Sequence, residues 1–164
     1  MERSVLEEAI YNRYIVPTRR KRTHLAGLEF ELPIVNEKNE PVNFEVIYQA
    51  TDRFIDTFSF LNVSRDDNEH IYLAVDDKTG DGLSYDCSYN TLKISFGKEE
   101  DMNVLYKRFC QYYTYIQKKL RKEGHMLTGM GINPRYAVNQ NVPVVSERYR
   151  ICLLYTSPSP RDVE

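Results

Sequence analysis

Cysteine is scarce in this chain: Cys87, Cys110 and Cys152 are the only three in 164 residues. An odd count without close spacing argues against a disulfide framework and against a structural zinc site, and it fits a reducing compartment. Charge of one sign is also lacking. With a net charge of −2, the chain gives no electrostatic case for a nucleic-acid or anionic-membrane partner. No apolar run approaches the ~18 residues of a membrane span. The segment Met1–Glu8 has no apolar signal core, so the expectation is a cytoplasmic protein. There is no Walker loop, no glycine-rich dinucleotide fingerprint and no Ser/His/Asp nucleophile signature. The histidines, His24, His70 and His125, lie far apart, and each reads as a structural or surface residue before a ligand or base.

What is present is an ordinary globular composition, 41% hydrophobic and 28% charged, long enough for one domain with a core. The most informative stretch runs from Ala26 to Val35. Leu28, Phe30, Leu32 and Ile34 alternate with Glu29, Glu31 and Pro33, the period of a half-buried strand. Two carboxylates then point the same way, about 7 Å apart. They read either as a solvated face or as hard oxygen ligands suited to Mg²⁺. Upstream, Ser4 and Glu7 form a capping box for a helix to about Tyr14, with Val5, Leu6, Ala9, Ile10 and Tyr14 as its apolar stripe. The basic run 19–22 reads as a solvated connection or a contact for an anionic substrate.

Further along, the pattern predicts a helix over Phe44–Leu61, a charged turn over Ser64–Glu69 and a strand over His70–Val75. Two short strands follow, over Leu83–Cys87 and Asn90–Phe96, the second ended by Gly97. A long amphipathic helix over Glu99–Lys122, with Met102 and Leu105 on its buried side, leads through Gly124 to a strand over His125–Ile132. Helices mixed with hairpin-like strands predict an α+β fold: an antiparallel or mixed sheet with helices packed on one face.

Three pieces together resemble the bacterial glutamate–cysteine ligases. Gly27-Leu28-Glu29-Phe30-Glu31 is similar to that family's acidic metal-binding strand. Leu83 to Phe96, which includes Ser84-Tyr85-Asp86-Cys87 and Lys93-Ile94-Ser95, resembles the paired strands that bring further ligands to the same cleft. Leu127-Thr128-Gly129-Met130-Gly131-Ile132-Asn133-Pro134, with Asn141-Val142-Pro143 and Arg148-Tyr149-Arg150, resembles the strand and loop that border the substrates. The resemblance implies the N-terminal part of a catalytic domain over residues 1–151, built on a partial glutamine-synthetase-like sheet. It implies ATP, L-glutamate and L-cysteine as substrates and Mg²⁺ as cofactor. Glu29, Glu31 and Asp86 would be metal ligands, and Asn133 and Arg148 substrate contacts. In such an enzyme ATP phosphorylates the γ-carboxylate, and the cysteine amine displaces phosphate from the acyl phosphate. A related ligase with another amine acceptor, or a non-catalytic module on the same sheet, would carry the same motifs.

Two departures from the family pattern bear on that expectation. The family chains are far longer, which predicts an incomplete and inactive site here. Lys93 stands where the family carries a Glu, and an ammonium cannot bind a cation. Lys93 shares a strand face with Thr91 and Ser95, so it is expected to pair with Glu29, Glu31 or Asp86 or to lie solvated. Residues 152–164 resemble a translated sequencing adapter and are expected to be non-native, with a natural Ser-Pro linker as the alternative.

Overall fold

The computed structural model describes residues 4–19, 23–85, 88–135, 137–138, 143–147 and 149–151. It has the expected α+β architecture. Six strands form one sheet: β1 (Ala26–Asn36), β2 (Asn62–Arg65), β3 (Ile71–Val75), β4 (Gly82–Tyr85), β5 (Thr91–Glu99) and β6 (His125–Leu127). Their order is β2-β3-β4-β5-β1-β6, and every neighbouring pair is antiparallel. Two long helices, α2 (Phe44–Phe58) and α3 (Met102–Lys122), pack on each other and cover one face.

The alternation along β1 decides which face is covered. Leu28, Phe30 and Leu32 lie opposite Phe96, Ile94 and Leu92 of β5, and these apolar pairs turn toward the helices. From α2, Ile47, Ala50, Phe54 and Ile55 enter the core, as the helical spacing predicts. From α3 come Leu105, Tyr112, Ile116 and Leu120. Phe54 is fully buried and stands edge-on to Phe60, Tyr112 and Tyr115, an arrangement that aromatic quadrupoles favour.

Several expected boundaries move, each for a local reason. Helix α2 stops at Phe58 because Ser59 turns left-handed (φ 56°), so Leu61 lies outside it and exposed. Helix α3 starts at Met102, not Glu99: Asp101 caps it by accepting the Asn103 N–H, and Glu99 is the last residue of β5. Met102 is exposed rather than buried. Gly97 does not end β5 but lies within it. A side chain at Gly97 would place a Cβ 1.8 Å from the Thr79 carbonyl oxygen, so glycine is needed for the β3–β4 loop to cross here. The segment read as a charged turn begins with β2, whose Asn62-Val63-Ser64-Arg65 has too little alternation to signal a strand but pairs with β3. Strand β6 ends at Leu127, well short of Ile132.

The N-terminal helix is the largest departure. The Ser4–Glu7 capping box forms as expected, but α1 (Val5–Ile10) passes into a π turn at Tyr11–Ile15 and a 3-10 turn at Val16–Arg19. Its apolar stripe is not core: Val5, Leu6, Ile10 and Tyr14 are all exposed.

Among the described residues no helix is long and apolar enough to cross a membrane. Cys110 is a free thiol, whereas Cys87, Cys152 and the tail from residue 152 lie outside the described residues.

Candidate functional site

The face of the sheet away from the helices carries the polar members of β1 and β5. The register sets Glu31 directly opposite Lys93 and Glu29 opposite Ser95. Residues directly opposite on one face are the closest cross-strand neighbours. The Lys93 ammonium therefore reaches both carboxylates, 3.4 Å from Glu31 Oε1 and 3.0 Å, diagonally, from Glu29 Oε1. On its other side Lys93 is registered with Ser84 of β4, so a short polar row, Glu31, Lys93 and Ser84, crosses three strands. The Lys93 side chain is only 20% exposed, while the two glutamates are more than half exposed. A partly buried cation thus sits between two solvated anions, and its charge offsets their mutual repulsion.

This arrangement bears on the metal expectation. A divalent ion would have to occupy the place between Glu29 and Glu31 that the ammonium now fills. Among the described residues no group of three or more His, Cys, Asp and Glu is placed to hold a metal. The residues present do not fit Mg²⁺ while Lys93 stands between the carboxylates. Asp86, the expected third ligand, and Arg148, the expected substrate contact, lie outside the described residues.

Asn133 is committed locally. Its Oδ1 accepts the Arg135 N–H at 2.9 Å, closing a side-chain turn through Pro134. Arg135 in turn donates to the Asn36 carbonyl at the end of β1, five strand positions from Glu31, or about 17 Å along the strand. That tether holds the turn near the Asn36 end of β1.

Other chemistry-bearing groups were not legible as such. Asp81 and Asp66 sit in loops where acidic residues read as solvated, yet both are buried. Asp81 accepts the Gly97 N–H and the Tyr112 hydroxyl, each at 3.0 Å, and pairs with Arg108. Asp66 accepts the Asn68 and His70 N–H groups and the Tyr89 hydroxyl. Burial first, and the neighbouring carboxylates next, push the Tyr89 and Tyr112 hydroxyls well above the usual phenol range. No spacing could reveal these pairs, because each joins residues more than twenty positions apart. His125 is a structural histidine, as the sequence suggested. Its Nδ1 lies 2.6 Å from the Glu123 carbonyl and its Nε2 accepts the Asn43 N–H, which fits the neutral Nδ1–H tautomer.

No family model matches the chain, and no curated protein or solved structure matches it. The likeness to glutamate–cysteine ligases therefore rests on the three motifs themselves.

Proposed function

We propose that this chain is the N-terminal portion of a catalytic domain of the glutamate–cysteine ligase type, an ATP-dependent cytoplasmic enzyme joining the L-glutamate γ-carboxylate to the L-cysteine amine. The observation that carries the reading is the charged row of Glu29, Lys93 and Glu31 on the sheet face the helices leave open. It lies at the crossing of two of the three motifs, so residues separate in sequence meet where the resemblance expects a substrate-facing surface. An open antiparallel sheet with helices behind it supports the same reading. The chemistry required is phosphoryl transfer to a carboxylate, then attack of an amine on the acyl phosphate with loss of phosphate. In that chemistry positioned charge supplies much of the rate. Here the row offers two carboxylates whose mutual repulsion one ammonium partly offsets. The chain alone is expected to show no turnover, because the family's later strands complete the nucleotide and amino-acid sites.

The metal-competing position of Lys93 favours a second reading from another class, a non-catalytic module that keeps the sheet and replaces the cation with an ammonium. Titration calorimetry with Mg²⁺ and ATP separates the two. Under the ligase reading Lys93→Glu binds Mg²⁺ in the presence of ATP more tightly than the parent. If Lys93→Glu binds Mg²⁺ no more tightly than the parent, the ligase reading falls and the module reading stands. ATP- and glutamate-dependent γ-glutamylcysteine formation by the unmodified chain would overturn the expectation of inactivity.

A further inference from the structure

The N-terminal helix and the outer flank of α3 are complementary in charge. On α3, Tyr113, Gln117 and Arg121 form one row at spacing four, and Thr114, Lys118 and Lys122 form the next. Together they line a surface groove of about 620 Å³. Rows at spacing four are the ridges that helices interdigitate when they pack, and the trough between two of them is a seat for a third ridge. The N-terminal helix presents such a ridge. Leu6, Ile10 and Tyr14 follow at spacing four and are 70%, 49% and 62% exposed. The charges match as well. Glu7 and Glu8 stand beside Leu6, whereas Lys118, Arg121 and Lys122 rim the groove. The groove floor is held firm, because the Gln117 amide bonds the N–H and the carbonyl of Leu127 on β6 and so caps the outer edge of the sheet.

Among the described residues the ridge and the groove are not packed together. The appreciable packing of α1 is with the helical turn that follows it, and the ridge stands open to solvent. Among the described residues each copy therefore offers one exposed ridge and one open seat.

We propose that two copies of this chain exchange N-terminal helices, the Leu6–Ile10–Tyr14 ridge of each lying in the α3 groove of the other. Such an exchange is isologous and closes as a twofold dimer. Reciprocity doubles the area a single seat buries, bringing a helix-sized contact toward the ~1,200 Å² of a specific interface. The acidic first turn over the basic rim fixes the direction in which the helix lies.

Sedimentation velocity and light scattering over a concentration series test this on the full chain. The expected result is a discrete dimer with a dissociation constant in the micromolar range. Leu6→Asp with Ile10→Asp removes it. Both residues are exposed, so the monomer stays folded by circular dichroism. Lys118→Glu with Lys122→Glu weakens the dimer about tenfold or more, and Glu7→Lys with Glu8→Lys in the same chain restores it. A monomer at all concentrations overturns the proposal, including one whose helix is protected from proteolysis by its own groove. So does a dimer or larger aggregate indifferent to Leu6→Asp and Ile10→Asp, which would place association on another surface such as the open sheet face.

Discussion

Two ionic clusters, one on each side of the sheet, use the same kinds of groups to opposite ends. On the helix side, Asp81 is fully buried and Arg108 of α3 reaches it at 3.4 Å. Asp81 accepts two hydrogen bonds, from the Gly97 N–H and the Tyr112 hydroxyl, and forms an ion pair with that guanidinium. On the open side, Lys93 lies 3.0 Å from Glu29 and 3.4 Å from Glu31, as near as or nearer than the buried pair, yet both glutamates remain over half exposed. Distance alone would rank the open cluster stronger. Burial reverses the ranking for stability, since breaking a buried pair strands an uncompensated charge while water re-solvates an exposed one. The buried cluster is therefore scaffold, and the open one is where residues can change with little cost to the fold. That freedom is what a site that must meet ligands requires.

The largest effect should come from breaking the buried cluster. Asp81→Ala removes the acceptor of Gly97 and Tyr112 together with the ion-pair partner of Arg108, and should cost about 3–5 kcal/mol. Urea denaturation reads this as a lowered midpoint with an unchanged slope. A loss under about 1 kcal/mol would mean that water reaches Asp81 and that the contrast between the two clusters is false.

Alkali attacks the same side without mutation. Tyr85, Tyr89 and Tyr112 are all held above the ordinary phenol value of 10.0, burial being the main cause. A folded value above the unfolded one means that their contribution is fully present below about pH 10 and is lost as pH rises toward the folded values. The expected outcome is cooperative alkaline unfolding, with these three tyrosines ionising only as the circular dichroism signal collapses. Free titration of every tyrosine near pH 10 with the fold intact would refute it.

Tyr112→Phe sharpens the comparison by deleting one donor while keeping the packed ring. The expected loss is about 1 kcal/mol, since Asp81 keeps its other two partners. Tyr112→Phe combined with Arg108→Met should cost more than the sum of the two, as neighbours around one buried carboxylate are coupled.

The smallest effect is expected on the open face. Lys93→Glu puts a third carboxylate beside Glu29 and Glu31 and should cost under about 1 kcal/mol, because those partners are largely solvated. Added salt should shrink the difference further by screening. Thermal unfolding at low and high salt checks it. A loss as large as that of Asp81→Ala, insensitive to salt, would show that the open face is covered in solution.

Local chemistry in the chain was enough to specify much of the fold. Alternation from Leu28 to Leu32 defined β1 and its two faces, because a strand's period of two depends on no other element, whereas Pro33 and Val35, expected on the outward face by the same parity, are buried. Helical spacing from Ile47 to Ile55 and from Leu105 to Leu120 defined the stripes of α2 and α3 in the same way. Parity along β5 placed Lys93 opposite the apolar face, which made its pairing with the glutamates foreseeable once β1 and β5 were neighbours.

What only the tertiary structure decided depends on residues far apart in sequence. Whether an apolar stripe is buried is a property of its neighbours: the stripe of α1 has the same local signature as that of α2, but among the described residues no other element covers it. Gly97 reads as a breaker locally, and only the crossing of the Thr79 carbonyl explains why it sits inside a strand. Strand β2 exists because β3 offers it a ladder, not because Asn62-Val63-Ser64-Arg65 prefers to be extended. Asp81 and Lys93 look alike as charged residues in polar surroundings. Burial against α3, set by the packing of the whole chain, makes one part of the scaffold and leaves the other open to solvent.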